Sequence, residues 1–289
     1  MKKSKKILVV GATAQLVNGF LEQAVEEGHS LALVARERDK LENLVNNLKK
    51  FSPFKSDLDK QFLIHPVNPA DEHGIDEALI YFRQKWFGDI DSLLIAVGSA
   101  GIPSAKFTPG HRPSQISLSA FRESFEVNYW YALNWLFKTA DWMWDLDKLM
   151  RVVIFGSISE DNLLSMVAPY TSAKSALTSM YKIFGIHAAH ERRKKGLPPI
   201  LFNRIVPGFF PAEQNLSLLK NADGSYTERA RAIINRTPLG RMGKSEDLVA
   251  ALNHLMMDCS EFMNLAEIKV DGGFDGFSGI HTGSEIPTE

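Results

Sequence analysis

The sequence has almost no cysteine and almost no net charge. Cys259 is the single cysteine among 289 residues, so no disulfide can form within the chain. Lysine and arginine number 33 against 34 acidic residues, a formal net charge of −1. This balance gives no electrostatic reason to expect nucleic-acid binding. The composition, 45% hydrophobic and 23% charged, is ordinary for a globular enzyme.

Long hydrophobic runs are also missing. A basic start is followed by the apolar run Ile7 to Val10, which ends at Gly11. This run is too short for the core of a signal peptide or for a membrane span. No group of histidines and carboxylates has the spacing of a metal site. We therefore expect a cytoplasmic protein with no metal ion, no membrane partner and no nucleic acid.

Short runs of β-branched residues alternate with longer helical patterns through most of the chain. Strands are predicted at 6–11, 30–35, 61–67, 91–97, 150–156, 199–206 and 265–270. Helices are predicted near 14–27, 37–50, 71–86, 117–147, 168–195 and 244–258. The strands are apolar throughout, as expected when both faces of a parallel sheet are covered by helices. The pattern predicts an α/β protein, with residues 1–289 as one doubly wound, Rossmann-like domain of about seven strands.

Residues 209–243 depart from this alternation. They carry prolines and glycines around a helical stretch, between a predicted strand and the last predicted helix. A long excursion of this kind often covers a ligand. We interpret it as a lid-like insertion, with a surface insertion of no function as the alternative.

Ser157, Tyr170 and Lys174 have a spacing that points to chemistry. Tyr170 and Lys174 are four residues apart, so on a helix they share one face. A nearby ammonium favours the phenolate, so we expect the pKa of Tyr170 to lie nearer neutrality. Such a phenol can exchange a proton with a carbonyl oxygen. The alternative is a core tyrosine, a solvated lysine and a turn serine that share the region by chance.

The same chain contains a second Tyr-x-x-x-Lys pattern, at Tyr81 and Lys85. Thirteen residues before Tyr81 lies Asn68, whereas thirteen residues before Tyr170 lies Ser157. The tyrosine and lysine alone are therefore a weak signal. The serine spacing and the order of the surrounding elements favour the later set.

Over nearly its whole length the chain resembles the short-chain dehydrogenase/reductase family. The landmarks of that family occur here in their usual order: Gly11 to Val17, Asn68 to Asp71, Gly98, Asn128, Ser157, Tyr170, Lys174, Asn203 to Gly208, and Asp271 to Gly273. The resemblance implies a single-domain Rossmann fold that uses NADP or NAD. It also implies that Tyr170 is the acid and base, that Lys174 assists it, that Ser157 orients the substrate oxygen and that Asn128 holds a water. For Asn128, a buried amide in a helix kink is the alternative.

The resemblance also places the cofactor. It implies contacts from the glycine-rich turn, the ends of the strands and the catalytic helix: Gly11, Thr13, Gln15, Leu16, Arg36, Asn68, Gly98, Tyr170, Lys174, Pro207, Gly208 and Phe210. Arg36 follows the second strand, where a guanidinium can hold a ribose 2′-phosphate. NADP is therefore favoured over NAD. Glu37 could still serve NAD, and Arg36 could be an ordinary surface residue.

Two departures from the family pattern bear on activity. Gln15 and Val17 occupy positions that usually hold glycine, and Val17 is expected to crowd the diphosphate or to shift the helix. Ile95 to Gly98 replaces the usual Asn-Asn-Ala-Gly. An alternative function follows: a protein that keeps the fold but serves as a non-catalytic binding or regulatory partner.

The C-terminal third resembles the D-mannonate (fructuronate) oxidoreductase branch. The similar segments are 208–215, 223–229, 237–241 and 271–279. This resemblance implies a sugar-acid substrate with contacts from Ser159, Gln214 and Asn215. The leading prediction is thus an NAD(P)-dependent dehydrogenase/reductase acting on a carbonyl/alcohol pair. The family also implies a homodimer or homotetramer.

Overall fold

The computed structural model describes residues 4–54, 58–68, 71–99, 112–162, 167–212, 215–258 and 261–279. Its centre is a parallel sheet with the strand order β3-β2-β1-β4-β5-β6-β7. The strands are β1 (Lys6–Val10), β2 (Ser30–Ala35), β3 (Phe62–Pro66), β4 (Ser92–Ile95), β5 (Met150–Phe155), β6 (Ile200–Pro207) and β7 (Glu267–Val270). Every pairing between neighbours is parallel, which confirms the predicted sheet.

The apolar strand sequences are explained by burial on both faces of the sheet. In β1, Leu8 and Val10 belong to one hydrophobic cluster, whereas Ile7 and Val9 belong to a second. Because successive side chains of a strand point to opposite faces, the two clusters lie on the two sides of the sheet. Each cluster also contains helical residues, so helices cover both faces, as the doubly wound prediction requires.

Ten α-helices lie in the described part of the chain. They are α1 (Asn18–Glu26), α2 (Arg38–Leu48), α3 (Leu58–Gln61), α4 (Glu72–Lys85), α5 (Leu118–Phe125), α6 (Tyr131–Met143), α7 (Ala168–Lys194), α8 (Leu216–Leu219), α9 (Glu228–Arg236) and α10 (Ser245–Asn253). Side-chain caps set several of their starts: Asp71, Ser117 and Thr227 each accept a backbone N–H three residues later. Within the described ranges, none of these helices has the length and apolar character needed to cross a bilayer.

The single helix predicted over 117–147 is broken in its middle. α5 and α6 are joined by a π-helical turn, Glu126–Trp130, with Asn128 at its centre. The Asn128 amide donates to the carbonyl of Ser124, 2.9 Å away, which is the acceptor that an α-helical backbone would use. The side chain thus competes with the α-helical bond, and the widened turn results. A second π-helical turn, His254–Asp258, follows α10.

Segment 209–243 contains α8 and α9 around a small apolar cluster of its own, which includes Leu219, Ile233 and Met242. One backbone bond attaches it to the segment after β7, where Leu239 N donates to Gly272 O, and a second, from Gly243 N to Phe209 O, joins its two ends. The segment therefore packs beside the sheet edge that carries the candidate site. Its proposed action as a lid stays a prediction.

Candidate active site

The predicted catalytic residues gather at the carboxyl edge of the sheet. β1 lies between β2 and β4, so the direction of winding changes beside it. Crevices at such switch points are where α/β sheets bind ligands. Gly98 follows β4, Ser157 follows β5, and Tyr170 and Lys174 lie on α7. The sequence prediction that these residues come from neighbouring elements agrees with the structure.

Lys174 lies at the centre of this group and is only 3% exposed. Its Nζ donates to Phe155 O at 2.9 Å and to Val97 O at 3.2 Å. Burial lowers the pKa of Lys174 to about 8, because the protein interior disfavours the ammonium. The lysine is therefore a partly neutralised amine near physiological pH, and not the solvated helix lysine of the alternative interpretation.

Asn128 and Gly98 complete the surroundings of the amine. Asn128 is fully buried, and its Oδ1 accepts from Ser99 N at 2.7 Å. Gly98 has φ +139°, and a Cβ there would meet Asn128 Oδ1 at 2.9 Å and Lys174 Nζ at 3.1 Å. Only glycine fits this approach. Asn128 is both a buried amide in a helix kink, as the alternative held, and a neighbour of the site.

Ser157 begins a tight turn at the end of β5. Its Oγ accepts from Ser159 N at 3.2 Å and lies 2.9 Å from Ser159 Oγ. The Ser157 N–H donates to Glu160 Oε1 at 2.8 Å, which completes a capping box. The turn holds the hydroxyl at the mouth of the crevice.

Tyr170 lies in the first turn of α7, half-buried. Burial raises the pKa of its phenol, and a hydrogen bond with Ser157 opposes that rise. The sequence predicted the opposite direction, on the argument that Lys174 would favour the phenolate. In the structure, the hydrogen bonds of the lysine go to the carbonyls of Val97 and Phe155, so desolvation of the phenol dominates.

The turn after β1 has the features of a phosphate site. Gly11 has φ +84°, and a Cβ there would meet Ala96 O at 2.5 Å, so glycine is required. The turn is closed by bonds from the N–H groups of Gly11, Ala12, Ala14 and Val17. Within the described ranges, those bonds leave the N–H groups of Thr13, Gln15 and Leu16 at the helix start without a backbone acceptor. Such N–H groups suit an anion.

Val17 does not obstruct this turn. Its side chain is fully buried and belongs to the core cluster that contains Val9 and Phe20. Residues Gln15–Val17 form a 3₁₀ turn, and the α-helix begins only at Asn18. Of the two expected effects of Val17, the structure therefore shows a later start of the helix, with the valine side chain in the core and not in the groove.

Arg36 and Asn68 follow β2 and β3, where the adenosine end of a dinucleotide is expected. Arg36 is exposed, and the neighbouring carboxylate of Glu37 is bound to Lys40 at 3.0 Å. Asn68 is also exposed, at the end of β3. The structure thus leaves a guanidinium facing solvent at this corner, while an ion pair engages the competing acid.

Pro207 is the last residue of β6, and Gly208 and Phe210 follow it. Gly208 N donates to Val270 O at 2.9 Å, which aligns the segment beside β7. Phe210 is buried, and its ring packs so closely on Gly243 that a Cβ there would lie 2.4 Å from it. The ring also lines a cavity of about 200 Å³ beside Arg241. The phenyl group therefore packs inside the 209–243 segment, against Gly243.

The residues predicted to contact substrate have other partners where the structure describes them. Ser159 is fully buried and hydrogen-bonds with the Ser157 hydroxyl, so it helps to hold that hydroxyl in place. The Asn215 amide donates to Phe210 O, and its Oδ1 accepts from Ala212 N at 2.8 Å, so it braces the loop. Gln214 lies outside the described residues. Direct contact of these residues with a substrate stays a prediction.

Sequence reasoning missed an ionic cluster behind Ser157. The side chains of Glu160 and Arg204 are 4% and 3% exposed, and Arg204 Nη1 lies 2.5 Å from Glu160 Oε2. Thr178 donates to Glu160, and Arg204 also binds Glu267. The pattern Ser157-x-x-Glu160 is a capping-box signal, so the glutamate could have been found from the sequence. Its pairing with Arg204, on a different strand, could not.

The second Tyr-x-x-x-Lys pattern has a different environment. Tyr81 and Lys85 lie on α4, where the lysine Nζ is 5.8 Å from the tyrosine ring centroid. Tyr81 packs on His65 and Phe82. No serine turn accompanies the pair in the described part of the chain. The two patterns, which differ in their spacing to a serine, therefore also differ in their surroundings.

Among the described residues, no group of three or more histidine, cysteine, aspartate or glutamate side chains is arranged to hold an ion.

The chain is similar to known proteins in both sequence and structure. A family model described as enoyl-(acyl carrier protein) reductase matches residues 18–275. An uncharacterized oxidoreductase of Haemophilus influenzae is 34% identical over 131 residues, which are 45% of this chain and 44% of that protein. Gluconate 5-dehydrogenase of Gluconobacter oxydans is 32% identical over 123 residues, 43% of each chain. The matched part thus spans less than half the length of these relatives.

The structural comparison extends over the whole chain. A crystal structure from Haemophilus influenzae, provisionally named a D-mannonate oxidoreductase and solved with bound NAD, has a TM-score of 0.82. It is 24% identical and covers 96% of this chain and 98% of that one. At this identity the likeness shows the fold. Together with the family match over 18–275 and the site described above, it leads to one conclusion: the chain belongs to the short-chain dehydrogenase/reductase family.

Proposed function

We propose that the chain is a nicotinamide-dependent oxidoreductase that interconverts a carbonyl and an alcohol. The observation that carries the proposal is the arrangement of Ser157, Tyr170 and Lys174 at the carboxyl edge of the sheet. Ser157 acts on Tyr170 closely enough to oppose the rise that burial causes in the pKa of its phenol, and the lysine is buried one helical turn from the tyrosine. A nicotinamide, when bound, supplies or accepts the hydride.

The protein groups supply the proton and the orientation. The Ser157 hydroxyl binds the substrate oxygen, and the phenol of Tyr170 donates a proton to it in reduction and takes one in oxidation. Because the pKa of Lys174 is about 8, its amine can pass protons toward solvent. Asn128, fully buried beside Gly98, helps to hold the Lys174 amine in place for this proton transfer.

The turn after β1 fits the diphosphate of the cofactor. The N–H groups of Thr13, Gln15 and Leu16 are suited to bind an anion such as this diphosphate. Gly11 permits the close approach of the turn to Ala96. The buried side chain of Val17 supports binding despite the missing glycines. Gly98, Pro207, Gly208 and Phe210 would border the nicotinamide.

The preferred cofactor is NADP, with NAD as the alternative. Arg36 is exposed at the end of β2, where it can bind a 2′-phosphate. Glu37, which would favour NAD, is engaged by Lys40 at 3.0 Å. Asn68 would lie beside the adenine. The structural relative from Haemophilus was solved with NAD.

The substrate is proposed to be a sugar acid. Two relatives support this class by name, a gluconate 5-dehydrogenase and a provisionally named D-mannonate oxidoreductase. Segment 209–243 would act as a lid over the substrate within the single domain, and Gln214 and Asn215 would contact the substrate. We further propose a cytoplasmic homodimer or homotetramer, as is common in the family.

The test combines cofactor titration with two matched variants. Wild-type protein is titrated with NADPH and NADH by nicotinamide fluorescence, and turnover is measured on a panel of sugar acids and ketones. Tyr170→Phe is expected to lower kcat by at least about 100-fold, because proton transfer is lost, while the Kd of the cofactor stays the same. Tyr81→Phe, in the second pattern, is the control and should keep wild-type turnover.

Two outcomes would contradict the proposal. Near wild-type turnover of Tyr170→Phe on a true substrate would remove the phenol from its assigned role. Binding of neither nucleotide at millimolar concentration would instead favour the non-catalytic alternative.

A further inference from the structure

We propose that the buried pair Glu160 and Arg204 is a positioning device for this site: the glutamate fixes the Ser157 turn, and the arginine holds the glutamate. The inference deepens the proposed function and rests on it. It concerns two residues that do not contact substrate and act through Ser157 and Lys174.

The first support is the geometry of the Ser157 turn. Glu160 Oε1 accepts the Ser157 N–H at 2.8 Å, while the Ser157 Oγ accepts from Ser159 N at 3.2 Å. These two bonds cross the turn in opposite directions and set the direction of the hydroxyl. A hydroxyl that must meet a substrate oxygen has little tolerance for displacement. The carboxylate of Glu160 therefore fixes the geometry that the chemistry needs.

The second support is the burial of the pair and its shared partners. Glu160 Oε2 binds Arg204 Nη1 at 2.5 Å and also accepts from the Thr178 hydroxyl. Arg204 extends to Glu267 on β7, so strands β6 and β7, helix α7 and the Ser157 turn are joined through one carboxylate and one guanidinium. Thr178 lies one turn after Lys174 on the same face of α7. The pair thus fixes α7 relative to the end of β5.

The third support is electrostatic. The charged and titratable groups around Glu160 are Arg204 and Glu267 from the strands and Tyr170, Lys174 and Tyr181 from α7. The carboxylate of Glu160 raises the pKa of Lys174 and of Tyr170, whereas Arg204 lowers the pKa of Lys174. The two charges therefore act on the amine with opposite signs. Removing one of them should displace the titration of Lys174, and removing both should restore it in part.

Two double variants separate the hydrogen bond from the charge without leaving an unpaired ion. Glu160→Gln with Arg204→Met keeps an amide oxygen as acceptor for the Ser157 N–H, while Glu160→Ala with Arg204→Met removes it. Glu267 keeps Lys269, 3.8 Å away, as a partner in both. We expect kcat to fall roughly 100-fold in the alanine pair relative to the glutamine pair, with the cofactor Kd unchanged. Equal kcat values in two folded proteins would overturn the positioning role.

Single variants test the charge without relying on turnover. The Lys174 signal is followed by NMR of 13Cε-labelled lysine and is identified by its loss in Lys174→Met. Glu160→Gln should lower the pKa of Lys174, Arg204→Met should raise it, and Glu160→Gln with Arg204→Met should return it toward wild type. Lys148→Met, which removes an ion pair with Asp89 and Asp91, is the control and should leave it unchanged.

The outcomes of the two experiments remain distinguishable. A Lys174 signal that titrates identically in wild type and in Glu160→Gln would overturn the electrostatic part of the inference. If the wild-type chain binds no nucleotide and turns over no substrate, the proposed function fails by itself. The titration of Lys174 then still decides the electrostatic part of the inference, because it needs neither cofactor nor activity.

Discussion

Lys174 shows that the candidate site is costly to fold. The residue is 3% exposed, and burial lowers the pKa of its amine to about 8. The ordinary lysine pKa of about 10.4 applies to the unfolded chain. Below pH 8 the folded protein therefore holds a buried ammonium that the unfolded chain would hydrate. Such a cost is typical of functional sites.

The pH dependence of stability follows from this shift. Between pH 8 and about 10.4 the unfolded chain binds more protons at this residue than the folded chain does, so the folded state gains stability as pH rises. We expect the unfolding free energy of wild type minus that of Lys174→Met to increase over this range, by at most ~1.4 kcal/mol per pH unit. Urea unfolding at pH 7, 8, 9 and 10 measures it.

A neighbouring lysine provides the control for that measurement. Lys182 lies on the same helix but is exposed, so the unfolding free energy of wild type minus that of Lys182→Met should stay constant with pH. A wild-type minus Lys174→Met difference that falls between pH 8 and 10 would show that the folded protein favours the ammonium, against the burial argument.

The position of the candidate catalytic side chains could be predicted from spacing because each lies at a landmark of one helix or one strand end. Tyr170, Lys174 and Ser157 are close in sequence, and the order of elements placed them. The pKa direction of Tyr170 could not be predicted, since it depends on which acceptors Lys174 finds, and these are the carbonyls of Val97 and Phe155. The ion pair between Glu160 and Arg204 could not be predicted from the sequence either, since the two residues come from different elements.

The helices and strands were well predicted where burial on both faces repeats along the sequence. β2 was predicted at 30–35 and is observed at Ser30–Ala35, and α7 was predicted at 168–195 and ends at Lys194. The helix over 117–147 was predicted as continuous, and its break at Glu126–Trp130 was foreseen only in the alternative for Asn128, a buried amide in a helix kink. Hydrophobic periodicity does not show which carbonyl a side-chain amide such as Asn128 will take.

The packing of α1 on α10 depends on the small size of Gly19. A Cβ at Gly19 would lie 2.7 Å from Val249 Cγ2. We expect Gly19→Ala to lower the unfolding free energy by about 1–3 kcal/mol, the usual cost of overpacking. In a Val249→Ala background the clash is gone, and Gly19→Ala should become neutral or stabilising by up to about 1 kcal/mol, because alanine favours a helix.

A double-mutant cycle by urea unfolding measures this coupling. Additive effects of Gly19→Ala and Val249→Ala would mean that α1 does not approach α10 at this point. The cycle also bears on the cofactor turn, because α1 follows directly from the 3₁₀ turn Gln15–Val17.

The opposite edge of the sheet carries interactions that stabilise without chemistry. Arg192 is fully buried near the end of α7, and its guanidinium donates to backbone carbonyls. Its acceptors are Met143, Trp144, Leu146, Lys148 and Pro198. The guanidinium thus satisfies the carboxyl end of α6 and the connection to β5, where a helix leaves carbonyls unpaired.

Replacing Arg192 should therefore destabilise the fold and leave the cofactor site intact. We expect Arg192→Met to lower the unfolding free energy by about 3 kcal/mol, because several carbonyls lose their donor. The exposed neighbour Arg193→Met should change it by no more than about 0.5 kcal/mol. Denaturant unfolding and nicotinamide fluorescence give the two readouts. A weaker cofactor Kd for folded Arg192→Met would show that the two edges are coupled.

The central position of β1 has a consequence for synthesis. Ile7 pairs with Leu31 on one side and with Ser92 on the other, so the first strand of this sheet cannot complete its pairing until the fourth has left the ribosome. At translation speeds of roughly 5–20 residues per second, an apolar strand waits on the order of ten seconds with one edge uncovered. The nascent chain is thus open to chaperones, and to mispairing with its neighbours on a polysome, throughout that interval.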